Sequence, residues 1–260
     1  MPYRSIDGVD PNLLSLDIYP VAGVCDAPVV VWIHGGGWRI GDKGNLARQR
    51  ADFYNSHGWL LVAVNYRLTT DAADPPVEYP DHNNDAASAL GWIDLNIAIH
   101  GGDPTRVMLT GHSAGGSIAA SLVADPSYLV ANDLDPGWLN CAVLLDTAGY
   151  DISIAAQASG SSDIYQTAFG TDPAVWFAAS PIRHVGEGPL PAHVLVVTRG
   201  QATRVAEAQA FTDALANSGV DATLVNVNPL THGEVNDQIG VDGGVMTPLL
   251  VQALDRCGSE

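Results

Sequence analysis

One stretch limits the fold more than any other: Arg106-Val-Met-Leu-Thr-Gly-His-Ser-Ala-Gly-Gly-Ser-Ile-Ala-Ala120. Its apolar start, Arg106 to Leu109, predicts a short buried strand, and the Ala-rich run from Ser117 predicts a helix. Between them, Gly111-His112-Ser113-Ala114-Gly115 fits the pattern G-x-S-x-G. A strand that turns at once into a helix leaves Ser113 on a tight, strained corner with its hydroxyl exposed. Glycines on either side lack a Cβ, so strand and helix can approach closely. The helix N-terminus also turns free backbone N–H groups toward negative charge forming beside Ser113. Such a corner is where a nucleophile belongs.

The rest of the chain supplies a matching scaffold. Leu14 to Tyr19 alternates apolar and polar residues, as a half-buried strand does. Ala27-Pro-Val-Val-Val-Trp-Ile33 and Trp59-Leu-Leu-Val-Ala-Val-Asn65 are continuously apolar, as strands covered on both faces are. Further strands are predicted over 142–145, 193–198 and 222–227. Helices are predicted over 45–57, 81–99 with Asp81 as cap, 204–217 and 244–256, and His100 to Pro104 ends the second. A Pro- and Asp-rich loop runs up to Pro80. Residues from about 148 to 182 break the strand–helix beat and read as a small cap over the strand ends. The expected fold is α/β: one domain over 1–260 with a mostly parallel sheet and helices on both faces. Ligands of such sheets bind beyond the carboxyl ends of the strands. His34 to Trp38, Ser113, Asp146, Thr203 and His232 all lie just past such ends.

A serine hydroxyl needs a base to take its proton. Among eight histidines, His232 is best placed, in a turn-rich loop after the last strand and later in the chain than Ser113. His112 is expected to be thrown aside by the sharp turn, and His34 to brace its glycine loop. His57, His82, His100, His184 and His193 read as surface or capping residues. Attack on a carbonyl makes an oxyanion, which the N–H groups of Gly36, Gly37 and Ala114 could cradle.

Strand-His34-Gly-Gly-Gly-Trp38, then Gly111-His-Ser-Ala-Gly-Gly116, then a late histidine resembles the α/β-hydrolase superfamily. Within it, the pattern is similar to the esterases that resemble hormone-sensitive lipase and to the kynurenine formamidases. The likeness runs from about Leu14 to Leu254. It implies a Ser-His-Asp/Glu triad, no cofactor and no metal, and cleavage of small carboxylic esters or amides through an acyl-enzyme. It carries over to Ser113, His232, Gly36, Gly37 and Ala114.

The acid departs from that pattern. The family places Asp a few residues past the penultimate strand, where this chain has Thr203, in Thr198-Arg-Gly-Gln-Ala-Thr-Arg204. A threonine accepts a hydrogen bond but brings no charge to balance an imidazolium. Three sources compete. One is an acid past another strand: Asp146, favoured by its strand-end position, or less directly Asp151. The second is a carboxylate nearer in sequence, Glu207 or Asp237. The third is no acid, which would leave a non-hydrolytic enzyme or a ligand-binding protein on the same scaffold.

Composition narrows the partners. The 260 residues carry 11 Lys plus Arg against 29 Asp plus Glu, a formal charge of -18. Nucleic acid and anionic membranes need basic surface and are excluded as partners. An anionic substrate would need local arginines such as Arg39 or Arg199. Trp38, Tyr150 and Trp176, with Phe169 and Phe177, are candidates to line an apolar substrate pocket. Cys25, Cys141 and Cys257 form no disulfide framework or metal spacing, and Cys141 reads as core. Met1 to Asp7 has no apolar leader and no run reaches membrane-span length, so a cytoplasmic protein is expected. Homo-oligomers stay open.

Overall fold

A computed structural model describes residues 1–70, 76–158, 160 and 162–258. Part of the Pro- and Asp-rich loop before Pro80, and residues 159 and 161 of the expected cap, lie outside them. The strands are β1 Leu16–Tyr19, β2 Ala27–Ile33, β3 Leu60–Val64, β4 Gly102–His112, β5 Cys141–Leu145, β6 His193–Thr198 and β7 Asp221–Asn226. They lie in the order β1-β3-β2-β4-β5-β6-β7. β1 is antiparallel to β3 and every other pairing is parallel. The helices are α1 Ala47–Ser56, α2 Asp81–Asn96, α3 Ala114–Ala124, α4 Ser127–Val130, α5 Ile152–Ala155, α6 Ser162–Phe169, α7 Pro173–Ala178, α8 Ala202–Asn217, α9 His232–Asp237 and α10 Met246–Cys257.

The continuous apolar run of β2 is explained by two cores. Successive side chains of a strand point to opposite faces. Val29, Val31 and Ile33 enter one core with residues of α2, α3 and α8. Val30 and Trp32 enter another with residues of α1, α9 and α10. Both faces are covered, and each fully buried aliphatic side chain contributes about 1.5–3 kcal/mol. Tyr165, Phe169 and Trp176, between β5 and β6, join the first core beside Trp38.

Register levels the strand ends. Ile33 pairs with Gly111, His112 with Leu145, Leu145 with Val197, and Thr198 with Asn226. The chain leaves β2 toward β3 on one side and returns to β4 on the other. The crevice therefore opens past β2 and β4, where the strand order reverses.

Several boundaries differ from expectation. β4 begins at Gly102, and Pro104 is accommodated where the β2–β4 register shifts. α3 begins at Ala114, not Ser117; two glycines of low helix propensity in its first turn mask that start in the sequence. Asp81 does not cap α2: Pro80 holds that position, and Asp81 pairs with Arg67 at 3.1 Å. His82 is not on the surface but buried, its Nε2 at 2.9 Å from the Thr69 hydroxyl. Cys141 and Cys257 form a disulfide with Cα atoms 6.0 Å apart. Their separation of 116 residues hid that the start of β5 meets the end of α10. Among the described residues no helix is long and apolar enough to cross a membrane.

Candidate active site

Ser113 sits at φ 55°, ψ -121° between β4 and α3. A residue held there costs about 1–3 kcal/mol. The corner is pinned by the Ser113 N–H to the Leu145 carbonyl (2.9 Å) and by the Ser117 N–H to the Ser113 carbonyl (3.0 Å). A Cβ on Gly111 would lie 2.2 Å from the Gly115 carbonyl oxygen, and one on Gly115 2.2 Å from that of Ile33. Glycine at both positions is the condition for α3 to stand this close to β2 and β4.

The loop after β2 faces the same point. His34 braces it: the buried ring stacks on Tyr66 with centroids 4.5 Å apart, and burial lowers its pKa. The Tyr66 hydroxyl donates to the His34 carbonyl at 3.0 Å. Gly36 has φ +125°, and a Cβ on it would meet the Ile40 carbonyl oxygen at 1.9 Å. Among the described residues the N–H groups of Gly36, Gly37 and Ala114 donate to no protein acceptor, and all three residues border the same cavity as Ser113.

His232 is the first residue of α9, not a loop residue. Thr231 and Glu234 form a capping box: the Thr231 N–H donates to Glu234 Oε2 at 2.7 Å and the Glu234 N–H to the Thr231 hydroxyl at 3.3 Å. This fixes where the imidazole enters the cavity. Its Nδ1 is 2.6 Å from Asp146 Oδ2. Asp146 is 0% exposed, one residue past β5, with its N–H on the Val197 carbonyl at 2.8 Å. Two more cations reach it. Arg199 Nε donates to Oδ2 at 2.6 Å and Arg204 Nε to Oδ1 at 2.9 Å. Burial alone would raise the Asp146 pKa; the His232 hydrogen bond and the two guanidiniums outweigh it and hold the carboxyl below its ordinary value. The carboxylate is ionised, so Nδ1 carries the proton and Nε2 is left as the basic nitrogen.

The other acid candidates stand elsewhere. Thr203 is exposed. Asp151 caps α5 and pairs with Arg183 at 2.9 Å. Glu207 accepts from the Asp151 N–H at 3.1 Å, and burial pushes its pKa up to about 7. Asp237 accepts from the Asn236 side chain. His112 corrects the expectation that the turn throws it aside. Its ring lies 4.5 Å from that of His232, and its Nε2 is 3.0 Å from the His232 carbonyl oxygen. Burial, then the neighbouring His232, pushes its pKa down to about 3, so it is a neutral donor bracing α9.

Ser113, His232 and Asp146 border one cavity of about 590 Å³. Trp38 borders it too, set edge-on to Tyr165 and Phe169. Tyr150 and Trp176 do not. Tyr150 is fully buried against Phe211, and Trp176 donates its Nε1–H to the Gly170 carbonyl. Both aromatics belong to the first core, with α8 and the rest of the 148–182 segment. Ile164, Tyr165, Arg50 and Asn236 line the cavity instead. Sequence reasoning missed them because each comes from a helix whose facing side the sequence does not mark. His112, Asp146 and His232 offer ligand atoms close enough for a metal. His232 Nδ1 and Asp146 are already committed to each other and Asp146 to two guanidiniums, while His112 Nε2 holds the His232 carbonyl, which makes a poor cation site.

The BD-FAE family matches residues 16–133. Esterase LipQ of Mycobacterium tuberculosis (strain ATCC 25618 / H37Rv) is 31% identical over 219 residues, covering 79% of this chain and 50% of its own length. Carboxylesterase NlhH of Mycobacterium tuberculosis (strain CDC 1551 / Oshkosh) is 41% identical over 96 residues, 36% of this chain and 28% of its own. The chain thus spans half or less of these two relatives. A solved structure of Thermogutta terrifontis esterase 2, phosphoramylated by tabun, superposes with a TM-score of 0.78 at 23% identity, covering 99% of this chain and 94% of the other. Fold, family match and sequence relatives point the same way: the chain has the α/β-hydrolase fold and is similar in sequence to esterases.

Proposed function

We propose that the chain is a serine hydrolase that cleaves carboxylic esters of small or aryl substrates through an acyl-enzyme. The observation that carries this reading is the 2.6 Å contact between His232 Nδ1 and Asp146, with Ser113 on its strained corner in the same cavity. Ser113 Oγ attacks the carbonyl while His232 Nε2 takes its proton. The imidazolium that forms is balanced by Asp146. The tetrahedral oxyanion is met by the N–H groups of Gly36, Gly37 and Ala114, each such donor worth about 3–4 kcal/mol. His232 then returns its proton to the leaving alcohol, and water repeats the sequence on the acyl-enzyme. A cavity of about 590 Å³ suits a small acyl group with a small or aryl alcohol. The 148–182 segment is a small cap on a single domain, and small aryl formamides belong in the substrate panel beside esters.

A fluorophosphonate probe should label Ser113 covalently, and Ser113→Ala should lose both labelling and turnover of p-nitrophenyl acetate. Folded protein that resists labelling contradicts this reading. A ligand-binding or non-hydrolytic role rests on Thr203 in the acid slot; the Asp146 carboxylate beside His232 supports the hydrolase reading over it. The disulfide weighs against the cytoplasmic location expected from the sequence, because reducing compartments keep thiols free. Alkylation with and without reductant, on protein taken from its source cells, decides: a linked pair removes the cytoplasm and free thiols restore it.

A further inference from the structure

Charge is distributed unevenly between this protein and its cavity. The chain carries 11 basic against 29 acidic residues. The cavity wall inverts that ratio: Arg50, Arg199 and Arg204 face a single carboxylate, Asp146. The histidine beside them, His112, is held neutral by burial.

The three arginines are not equally committed. Arg204 gives Nε and Nη2 to Asp146. Arg199 gives Asp146 only its Nε, and its side chain remains 24% exposed. Among the described residues neither terminal nitrogen of Arg199 has a protein acceptor. Those two nitrogens form the edge of a planar fork, the geometry that takes a carboxylate through two parallel hydrogen bonds. Arg50 is 2% exposed and stacked 3.8 Å over Trp32. It donates to the Asn45 carbonyl and to the Asn236 side chain, yet its Nε has no partner. Among the described residues it pairs with no carboxylate. Asp237 acts on it only from beyond ion-pair distance, and a buried guanidinium without a contacting counter-charge is costly unless an anion shares its site. Arg199 and Arg204 both contact Asp146, and with Arg50 on the same wall the cavity carries three guanidiniums against one carboxylate and has positive charge to balance.

We propose that the cavity holds a carboxylate-binding subsite, with Arg199 as the contact and Arg204 and Arg50 as supporting charges, and that the preferred esters carry a second, ionised carboxylate. This rests on the ester-hydrolase reading and names its substrate class. The alternative role for Arg199 and Arg204 is to position Asp146 alone. That role would change anionic and neutral substrates alike, so the ratio between them separates the two.

The test uses two matched pairs of esters. One pair sets the p-nitrophenyl half-ester of glutarate against p-nitrophenyl pentanoate, which puts the charge on the acyl side. The other sets 4-acetoxybenzoate against 4-methylphenyl acetate, which puts it on the alcohol side. Each kcat/KM is divided by that ester's rate of alkaline hydrolysis. The anionic member is expected to be favoured at least tenfold in one pair, and a smaller preference in both pairs overturns the proposal. Arg199→Met should cut the favoured ratio at least fivefold, and Arg50→Met should lower it as well. An unchanged ratio in Arg199→Met overturns the proposal even where its absolute rates fall. Failure of Ser113 labelling together with failure of every ester would instead defeat the hydrolase reading.

Discussion

The cavity has two walls built on different rules. One wall is the corner after β4 and the loop after β2. It is made of backbone: strained φ at Ser113, glycines where a Cβ would strike a carbonyl, and cavity-lining residues whose N–H groups have no protein acceptor among the described residues. The other wall is made of side chains from three separate strand ends and the helices after them: Asp146 past β5, Arg199 and Arg204 past β6, and His232 in α9 past β7. Backbone geometry requires particular residues at fixed spacing. Side-chain geometry requires only that a charge arrive, from whichever strand end can deliver it. The first wall is therefore rigid in sequence and the second is free to move its acid from β6 to β5.

Breaking either wall at its centre should have the largest effects. Ser113→Ala is expected to lower kcat by about 10⁶-fold, as nucleophile loss does elsewhere, read by steady-state hydrolysis of p-nitrophenyl acetate. On the side-chain wall, Asp146→Asn is expected to cost about 10⁴-fold with the fold intact by circular dichroism. Thr203→Asp in that background should recover no more than about twofold, because Thr203 is exposed rather than turned to His232. Substantial rescue would return the acid to the usual slot.

Those two expectations mark how far the sequence could be read. The buried strands were plain, because unbroken apolar runs fit a sheet covered on both faces; β2 and β6 have the predicted bounds. Ser113 and the glycine loop were plain because close backbone approach leaves few residue choices. Asp146 was one of several options, since strand order alone decides which carboxylates share a crevice. The position of His112 behind His232 was missed: a turn residue's side-chain direction depends on what packs beside it, here α9 from 120 residues away. Arg50 gave no signal, because its place against Trp32 depends on the angle of α1.

Smaller perturbations sharpen the contrast. Gly115→Ala attacks the backbone wall through its 2.2 Å approach to the Ile33 carbonyl and should destabilise by about 3 kcal/mol or more in a urea titration. Both walls also rest on histidines buried in neutral form. His34, His82 and His112 have lowered pKa values, chiefly through burial, the latter two to about 3. Each binds a proton on unfolding once pH falls below the ordinary histidine value, so their contribution is present above that value and lost on acidification. Glu207, raised to about 7, opposes this by releasing a proton on unfolding. Stability should therefore fall from about pH 6.5 to 4.5 with a net uptake of protons on unfolding, measured by urea midpoints across pH. Thr231→Ala removes half of the capping box and should cost about 1 kcal/mol, with a loss of turnover larger than its loss of stability because His232 begins that helix.

The most direct test of the central claim, that Asp146 stands behind His232, is the proton on His232 Nδ1. In ¹H–¹⁵N spectra of protein labelled at histidine, a strongly downfield Nδ1–H resonance is expected, assigned to His232 by its loss in His232→Gln. It should vanish or move sharply upfield in Asp146→Asn and stay in place in Thr203→Ala. A resonance that survives Asp146→Asn, or that is lost in Thr203→Ala, would contradict the account.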